Sequence, residues 1–320
     1  MKILVTGAAG LIGSALVNKL ETQGYEIISC DIRLRDNPLS FFSEDITPVL
    51  TQCTGIIHLA AIARVIHGEM YPELCQKVNV DGTIKLLELC KLLPNKPWFI
   101  YGSSREVYGE QQKLPVTESA PLSPVNNYAK SKVLIEEYVT SLQDSNLNVA
   151  ILRFSNVYGG LLDHHNRVIP AFCINALKGY PIRIDGRECI FDFTYLDDVV
   201  EGIYLAVKYL QDKKSSLPSP IHLTANRPCS LEDLATIVLE TTGSDSRVDF
   251  HPPRSFDVPK FYGDFTRATE LLGWLPKHSL EVGLSKFITN LQNNTQGCPK
   301  NIDTVIYENI KSYSWLPTLL

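Results

Sequence analysis

No apolar run in this 320-residue chain is long enough to cross a bilayer, which speaks against a membrane-spanning protein. Nor is there a Cys-x-x-Cys pair. The eight cysteines, at positions 30, 53, 75, 90, 173, 189, 229 and 298, are scattered, most of them in apolar stretches. Such thiols read as buried groups rather than disulfides or metal ligands, so a reducing compartment is expected and no metal site is. Positive charge is not in excess. A formal net charge of −5 gives no electrostatic reason for a nucleic-acid or anionic-membrane partner. Met1 to Gly7 enters a strand pattern directly, without the long apolar segment and cleavage site of a secretory leader, so a cytoplasmic location is expected. No internal repeat and no low-complexity segment is found. A hydrophobic content of 44% and a charged content of 20% suit a soluble globular chain with one large or two smaller cores.

Ile3, Leu4 and Val5 form a short apolar run of the kind covered on both faces in a parallel sheet. It ends in Gly7-Ala8-Ala9-Gly10-Leu11-Ile12-Gly13, followed by a helical pattern through Leu16, Val17 and Leu20. Strand, glycine loop and helix in that order form a dinucleotide cradle: the backbone approaches a pyrophosphate closely and the helix start offers unpaired N–H groups. A second strand, Glu26 to Cys30, ends at Asp31, placed to accept the adenosine ribose hydroxyls and to repel a 2′-phosphate. NAD is therefore favoured over NADP, although Arg33 and Arg35 weaken the preference. Asp45 has two readings, a contact to the adenine amino group or a helix N-cap.

Gly55 to Ala61 reads as a buried strand whose small residues admit a cofactor, with His58 a core histidine. Pro72 to Leu93 carries one long helix pattern that contains Asn79. Pro97 to Tyr101 is a strand that delivers Ser103 and Ser104 to its carboxyl end, where ligands sit in open parallel sheets. Strand and helix alternate as far as Gly160. The fold class is thus α/β, a Rossmann-type doubly wound parallel sheet with a smaller α/β substrate-binding lobe. The expected division is an NAD-binding domain over 1–160 with return segments at about 190–225, a lobe over 161–189 and 226–295, and a tail over 296–320.

Tyr128 and Lys132, four apart, meet on one helix face. Alone, that pattern usually marks a solvated surface. Behind a dinucleotide cradle it has a chemical use. A tyrosine titrates near ~10, and an adjacent ammonium favours the phenolate. The phenolate then takes a proton from a hydroxyl whose carbon loses hydride, and Ser104 holds that hydroxyl.

Taken together, Thr6-Gly7-x-x-Gly10-x-x-Gly13, Ser103-Ser104-x-x-Val107-Tyr108-Gly109, Tyr128-x-x-x-Lys132 and Arg153-x-x-Asn156-Val157-Tyr158-Gly159 resemble the extended short-chain dehydrogenase/reductases. In particular they resemble the NAD-dependent nucleotide-sugar epimerases and dehydratases. Further matches, Asp192-Phe193, Asp197-Asp198-Val199, Arg254-x-x-Asp257 and Leu272-Gly273-Trp274, carry the likeness to about residue 290. The resemblance implies that NAD is held by Gly7, Gly10, Leu11, Ile12 and Gly13 at the pyrophosphate and by Asp31, Asp45 and Ile46 at the adenosine. Leu59, Ala60, Ala61, Asn79, Ser103, Tyr128 and Lys132 complete the cofactor site. It also implies Tyr128 as base, Lys132 as its electrostatic partner and Ser104 as the group orienting the sugar. Asn156, Arg167 and Arg254 are implied as contacts to a nucleotide-diphosphate sugar, and the long helices near 72–93 and 126–145 as a homodimer interface.

Two departures bear on the reaction. Ser104-Arg105-Glu106 stands where 4,6-dehydratases carry Thr-Asp-Glu. Glu106 occupies the place of their base, but Arg105 replaces the acid and makes a poor proton donor. Phe191 stands where the family commonly has an arginine of the diphosphate clamp, leaving Arg254 with Arg167 and Arg183 as substitutes. Four readings follow: an epimerase, most simply at C4, that needs only Tyr128, Lys132 and Ser104; a lyase, dehydratase or decarboxylase, that uses Glu106; a net reductase; and a non-catalytic NAD-binding protein. Arg105 and Glu106 read either as groups facing the substrate or as a surface pair.

Overall fold

The computed structural model describes residues 1–34, 46–142, 146–218, 220–254 and 257–294. Asp45 and the tail 296–320 lie outside them. Strands β1 (Lys2–Thr6), β2 (Glu26–Cys30), β3 (Gly55–His58), β4 (Trp98–Ser104), β5 (Val149–Phe154) and β9 (Ile221–Leu223) form a parallel sheet in the order β2-β1-β3-β4-β5-β9. Apolar residues at successive positions are what such a sheet needs, because successive side chains enter opposite layers. Ile3 and Val5 face the layer of α1 (Leu11–Thr22) and α8 (Leu196–Lys213), packing with Leu16, Leu20, Val199 and Ile203. Leu4 faces the other way, into the layer of α5 (Gly82–Leu92) and α6 (Asn127–Ser141), with Leu86, Leu87, Ile135 and Val139. The chain leaves β2 and crosses back over β1 to β3, so a crevice opens above the carboxyl ends of β1 and β3.

The stretch 72–93 is not one uniform helix. It divides into α4 (Pro72–Cys75), a π-helical turn (Gln76–Asp81) and α5. The wider turn accompanies an inward Asn79, whose amide donates to Ile62 O and Ser131 Oγ and whose Oδ1 accepts from Ile62 N. π-turns of this kind replace regular pairing where a side chain must be re-aimed. Short α2 (Ile46–Leu50) and α3 (Val65–Met70) complete the first half.

Beyond residue 155, β6 (Asn156–Tyr158), α7 (Val168–Lys178), β7 (Ile182–Asp185), β8 (Ile190–Tyr195), β10 (Pro228–Ser230), α9 (Leu231–Thr242), β11 (Val248–His251) and α11 (Leu280–Asn293) build a further core around Phe172, Phe193, Leu234 and Phe287. Sequence periodicity finds the helices here but misses β7, β10 and β11. Those strands are three or four residues long and partly exposed, too short for a period-two pattern to register. Within the stretch assigned from sequence to the lobe, Ala268 of α10 (Thr266–Leu272) and Trp274 return to the main sheet. Both are buried in the α1/α8 layer, and Trp274 Nε1 donates to Asp198 O at 2.8 Å.

Candidate active site

Gly7 ends β1 at φ +72°, a backbone region that glycine enters freely. A Cβ there would lie 2.7 Å from Ala60 N, and one on Gly13 would lie 2.1 Å from Gly7 O. The loop is therefore pressed flat between β1 and β3. Its helix starts at a glycine N-cap, Gly10, with no side-chain cap. The first-turn N–H groups of α1 are left to an incoming anion. This cradle, with the small Ala60 and Ala61 beside it, fits a dinucleotide.

Asp31 is nearly buried at the end of β2. Oδ2 accepts from Ala9 N at 3.0 Å and Arg33 Nη2 at 3.0 Å; Oδ1 accepts from Arg33 N at 2.9 Å and Arg33 Nε at 3.1 Å. A carboxylate offers about four acceptor positions. Arg33 takes three of these in this state and Ala9 N the fourth, so the ribose hydroxyls that the sequence assigns to Asp31 compete with Arg33. The Ile46 side chain is wholly buried in the core. Neither it nor Asn79 lines the cavity described below. Asn79 acts as a brace from the Ile62 backbone to the helix of Tyr128.

β4, buried throughout, presents Ser103 and Ser104. Ser103 Oγ turns behind the site to Glu136, whose carboxylate is held by Arg153 Nε at 2.9 Å. Ser104 Oγ accepts from Glu106 N at 3.2 Å, capping the 3₁₀ turn Arg105–Tyr108, and its hydroxyl favours the phenolate of the nearby Tyr128. Asn126 caps α6 through Ala129 N at 2.8 Å. That cap fixes the register by which Tyr128 and Lys132 both enter the site, each under a tenth exposed.

The lysine's effect differs from expectation. Lys132 Nζ donates to Gly102 O at 2.7 Å and lies 5.7 Å from the Tyr128 ring centre. Burial pushes Lys132 down to about 8. It pushes Tyr128 up to about 12, with the Glu106 charge acting the same way and the Ser104 hydrogen bond against it. Desolvation outweighs the groups that favour the phenolate, Ser104 and Arg167, so in this state Tyr128 holds its proton at neutral pH.

Arg105 and Glu106 are not a surface pair. Both side chains are 9% exposed, and Arg105 Nη2 meets Glu106 Oε1 at 2.8 Å. Glu106 Oε2 accepts from Asn126 Nδ2 at 3.2 Å. The Arg105 guanidinium lies 5.0 Å from the Phe191 ring centre and 5.5 Å from that of Phe261. Phe191 therefore serves as a platform for the arginine that follows Ser104.

A single cavity of about 650 Å³ joins the glycine loop, Ser104, Tyr128 and Lys132 to Arg105, Asn156, Arg167 and Arg254. Arg167 pairs with Asp163 at 3.0 Å, and Arg254 with Asp257 at 2.6 Å. Sequence reading missed Asp163, a buried carboxylate on the cavity wall, although its i,i+4 spacing to Arg167 was a usable sign. It also missed Arg64, hydrogen-bonded to Asn166 at the rim, which no local pattern distinguishes.

Residues 3–217 match the model of the NAD dependent epimerase/dehydratase family. A UDP-glucose 4-epimerase of Mycolicibacterium smegmatis is 30% identical over 92% of this chain and all of its own length. UDP-glucuronic acid decarboxylase 2 of Arabidopsis thaliana is 29% identical over 94% of this chain and 70% of its own. The solved UDP-glucose 4-epimerase of Thermotoga maritima, in a complex with UDP-glucose, superposes with a TM-score of 0.85 at 31% identity, covering 92% of this chain and 100% of that one.

Proposed function

The chain belongs to the NAD dependent epimerase/dehydratase family, and from that membership we propose a nucleotide-sugar 4-epimerase acting on a uridine diphosphate hexose through a transient 4-keto sugar. The enzyme is NAD-dependent. One observation carries the choice of reaction: Ser104 and Tyr128 line the cavity with Lys132 beside them, while Glu106, which lines it too, is tied to Arg105 through one oxygen and to Asn126 through the other. An epimerase needs the first three and leaves Glu106 at rest.

Gly7, Gly10, Gly13 and the start of α1 would hold the pyrophosphate of NAD, Asp31 the adenosine ribose once Arg33 has moved, and Lys132 the nicotinamide ribose. Bound NAD supplies the hydride acceptor and a positive ring. Ser104 orients the C4 hydroxyl. Tyr128 Oη takes its proton as that carbon is oxidised and returns it when reduction occurs on the other sugar face. Because burial holds the phenol near 12, Tyr128 is a competent base only with added positive charge beside it. Proton uptake is thereby confined to the loaded site. Asn156, Arg167 and Arg254 line the far end of the same cavity, where a diphosphate would lie.

The decarboxylase relative supports a second reading, a lyase using Glu106. No helix of the described residues is long and apolar enough to cross a membrane, and the proposal includes a cytoplasmic homodimer. Leu92 on α5 and Leu134 on α6 stand exposed on the helices that would meet. Mass spectrometry and NMR of products from a nucleotide-sugar panel, with no added cofactor, test the reaction. An isobaric product with inverted C4 supports the epimerase; loss of water or carbon dioxide refutes it and favours the lyase.

A further inference from the structure

We infer that Arg105 selects the substrate by its charge: its Nη1 donates to an anionic oxygen group, either a carboxylate carried by the sugar or the phosphate next to the sugar. The inference rests on the nucleotide-sugar reading above and names the group within that substrate which this chain recognises.

The case begins with what the guanidinium lacks. Nη2 is taken by Glu106, but Nη1 is buried without a partner among the described residues. A buried charged N–H with no acceptor is unfavourable. The Arg105 side chain lines the cavity, so an acceptor brought by the substrate satisfies the guanidinium once the fork turns toward it. The arginines that share the cavity differ. Arg167 and Arg254 each have a carboxylate partner, and their side chains are 30% and 46% exposed. Water and partner charges screen them. Arg105, 9% exposed with Phe191 and Phe261 against its guanidinium, is more desolvated than either, and an anion that reaches it is held in a low-dielectric setting. The rings also fix the plane of the fork, so little freedom is lost on binding.

Position narrows the target. Arg105 follows Ser104, which faces the reacting hydroxyl. It shares the cavity wall with Ser104 and Tyr128 and also with Arg254 and Asp257. The substituent on the neighbouring sugar carbon and the sugar-linked phosphate are the groups that lie along that wall.

The test is calorimetric binding to the NAD-loaded protein, with UDP, UDP-glucose and UDP-glucuronate as probes. Arg105→Lys keeps the charge and loses the fork. The double change Arg105→Met with Glu106→Gln removes both charges together, so that no lone buried ion is left to unfold the turn. Circular dichroism and retained NAD check the fold. We expect the double variant to lose roughly tenfold to hundredfold in affinity, the measure of a charge-assisted hydrogen bond, with Arg105→Lys in between. Loss confined to UDP-glucuronate identifies a sugar carboxylate; equal loss on all three probes identifies the phosphate. Wild-type binding with less than about twofold change in both variants overturns the role of Arg105 alone. Failure of the wild type to bind any of the three overturns the uridine-nucleotide reading and this inference with it.

Discussion

Glu106→Gln separates the two reactions that this scaffold supports, and its consequences can be worked from the contacts. Glutamine keeps the volume but replaces one acceptor oxygen by a donor. Asn126 cannot rotate to suit it, because its own Oδ1 caps α6 at Ala129 N. The new amide therefore turns its oxygen to Arg105 and gives up the longer 3.2 Å bond to Asn126 Nδ2. Arg105 loses the charge of its partner in a setting only 9% exposed, where solvent screens little. Losing a hydrogen bond to a charged group amounts to about 1.5–3 kcal/mol. For a chain of this size that is a fall in Tm of roughly 2–5 °C, measurable by calorimetry on the NAD-bound protein. The kinetic result points the other way. If Glu106 only holds Arg105, kcat for epimerisation stays within roughly threefold, against the 10²–10⁴-fold loss typical of a missing acid or base. The Glu106 charge also raises Tyr128. Removing it makes the phenolate easier to form, and the acid limb of the pH–rate profile moves to lower pH. A loss above about 100-fold with fold, NAD content and substrate affinity intact would refute this reasoning and return Glu106 to the chemistry.

Other expectations follow from the same contacts. Tyr128→Phe leaves the ring and its packing but no proton carrier, so turnover falls by about 10²–10⁴-fold while NAD still binds; near-normal activity would sink the mechanism. Asp31→Ala removes the acceptor and releases Arg33 beside the place of a 2′-phosphate, so the NADP-to-NAD affinity ratio rises by roughly tenfold or more; an unchanged ratio in fluorescence titrations counts against the ribose assignment. His58 and His222 are buried and held down to about 3. Between pH 6.5 and 3 the unfolded chain binds their protons and the folded chain does not, so stability falls as pH falls, by about 1.4 kcal/mol per unit for each histidine. Denaturant melts that do not change between pH 7 and pH 5 would contradict this.

The sequence by itself determined whatever depends on near neighbours. The glycine loop after an apolar run placed the crevice, because φ > 0 at Gly7 and the contact of Gly13 with Gly7 O are properties of seven adjacent residues. Tyr128 and Lys132 shared a face because helical spacing puts them there. Alternating apolar runs gave the doubly wound order. What those groups do was decided by tertiary structure. Proton affinity is a matter of burial, and burial raised Tyr128 although the lysine spacing in the sequence pointed to a lower value. The Asp31–Arg33 clasp joins residues two apart, yet spacing does not reveal a rotamer. Arg105 and Glu106 read as a surface pair or a substrate pair with equal justice. The choice fell to Asn126, Phe191 and Phe261, residues from distant parts of the chain that the fold brings around them. Local spacing sets which groups meet along one element; only packing between elements removes water from them and so sets their charge, their partners and their chemistry.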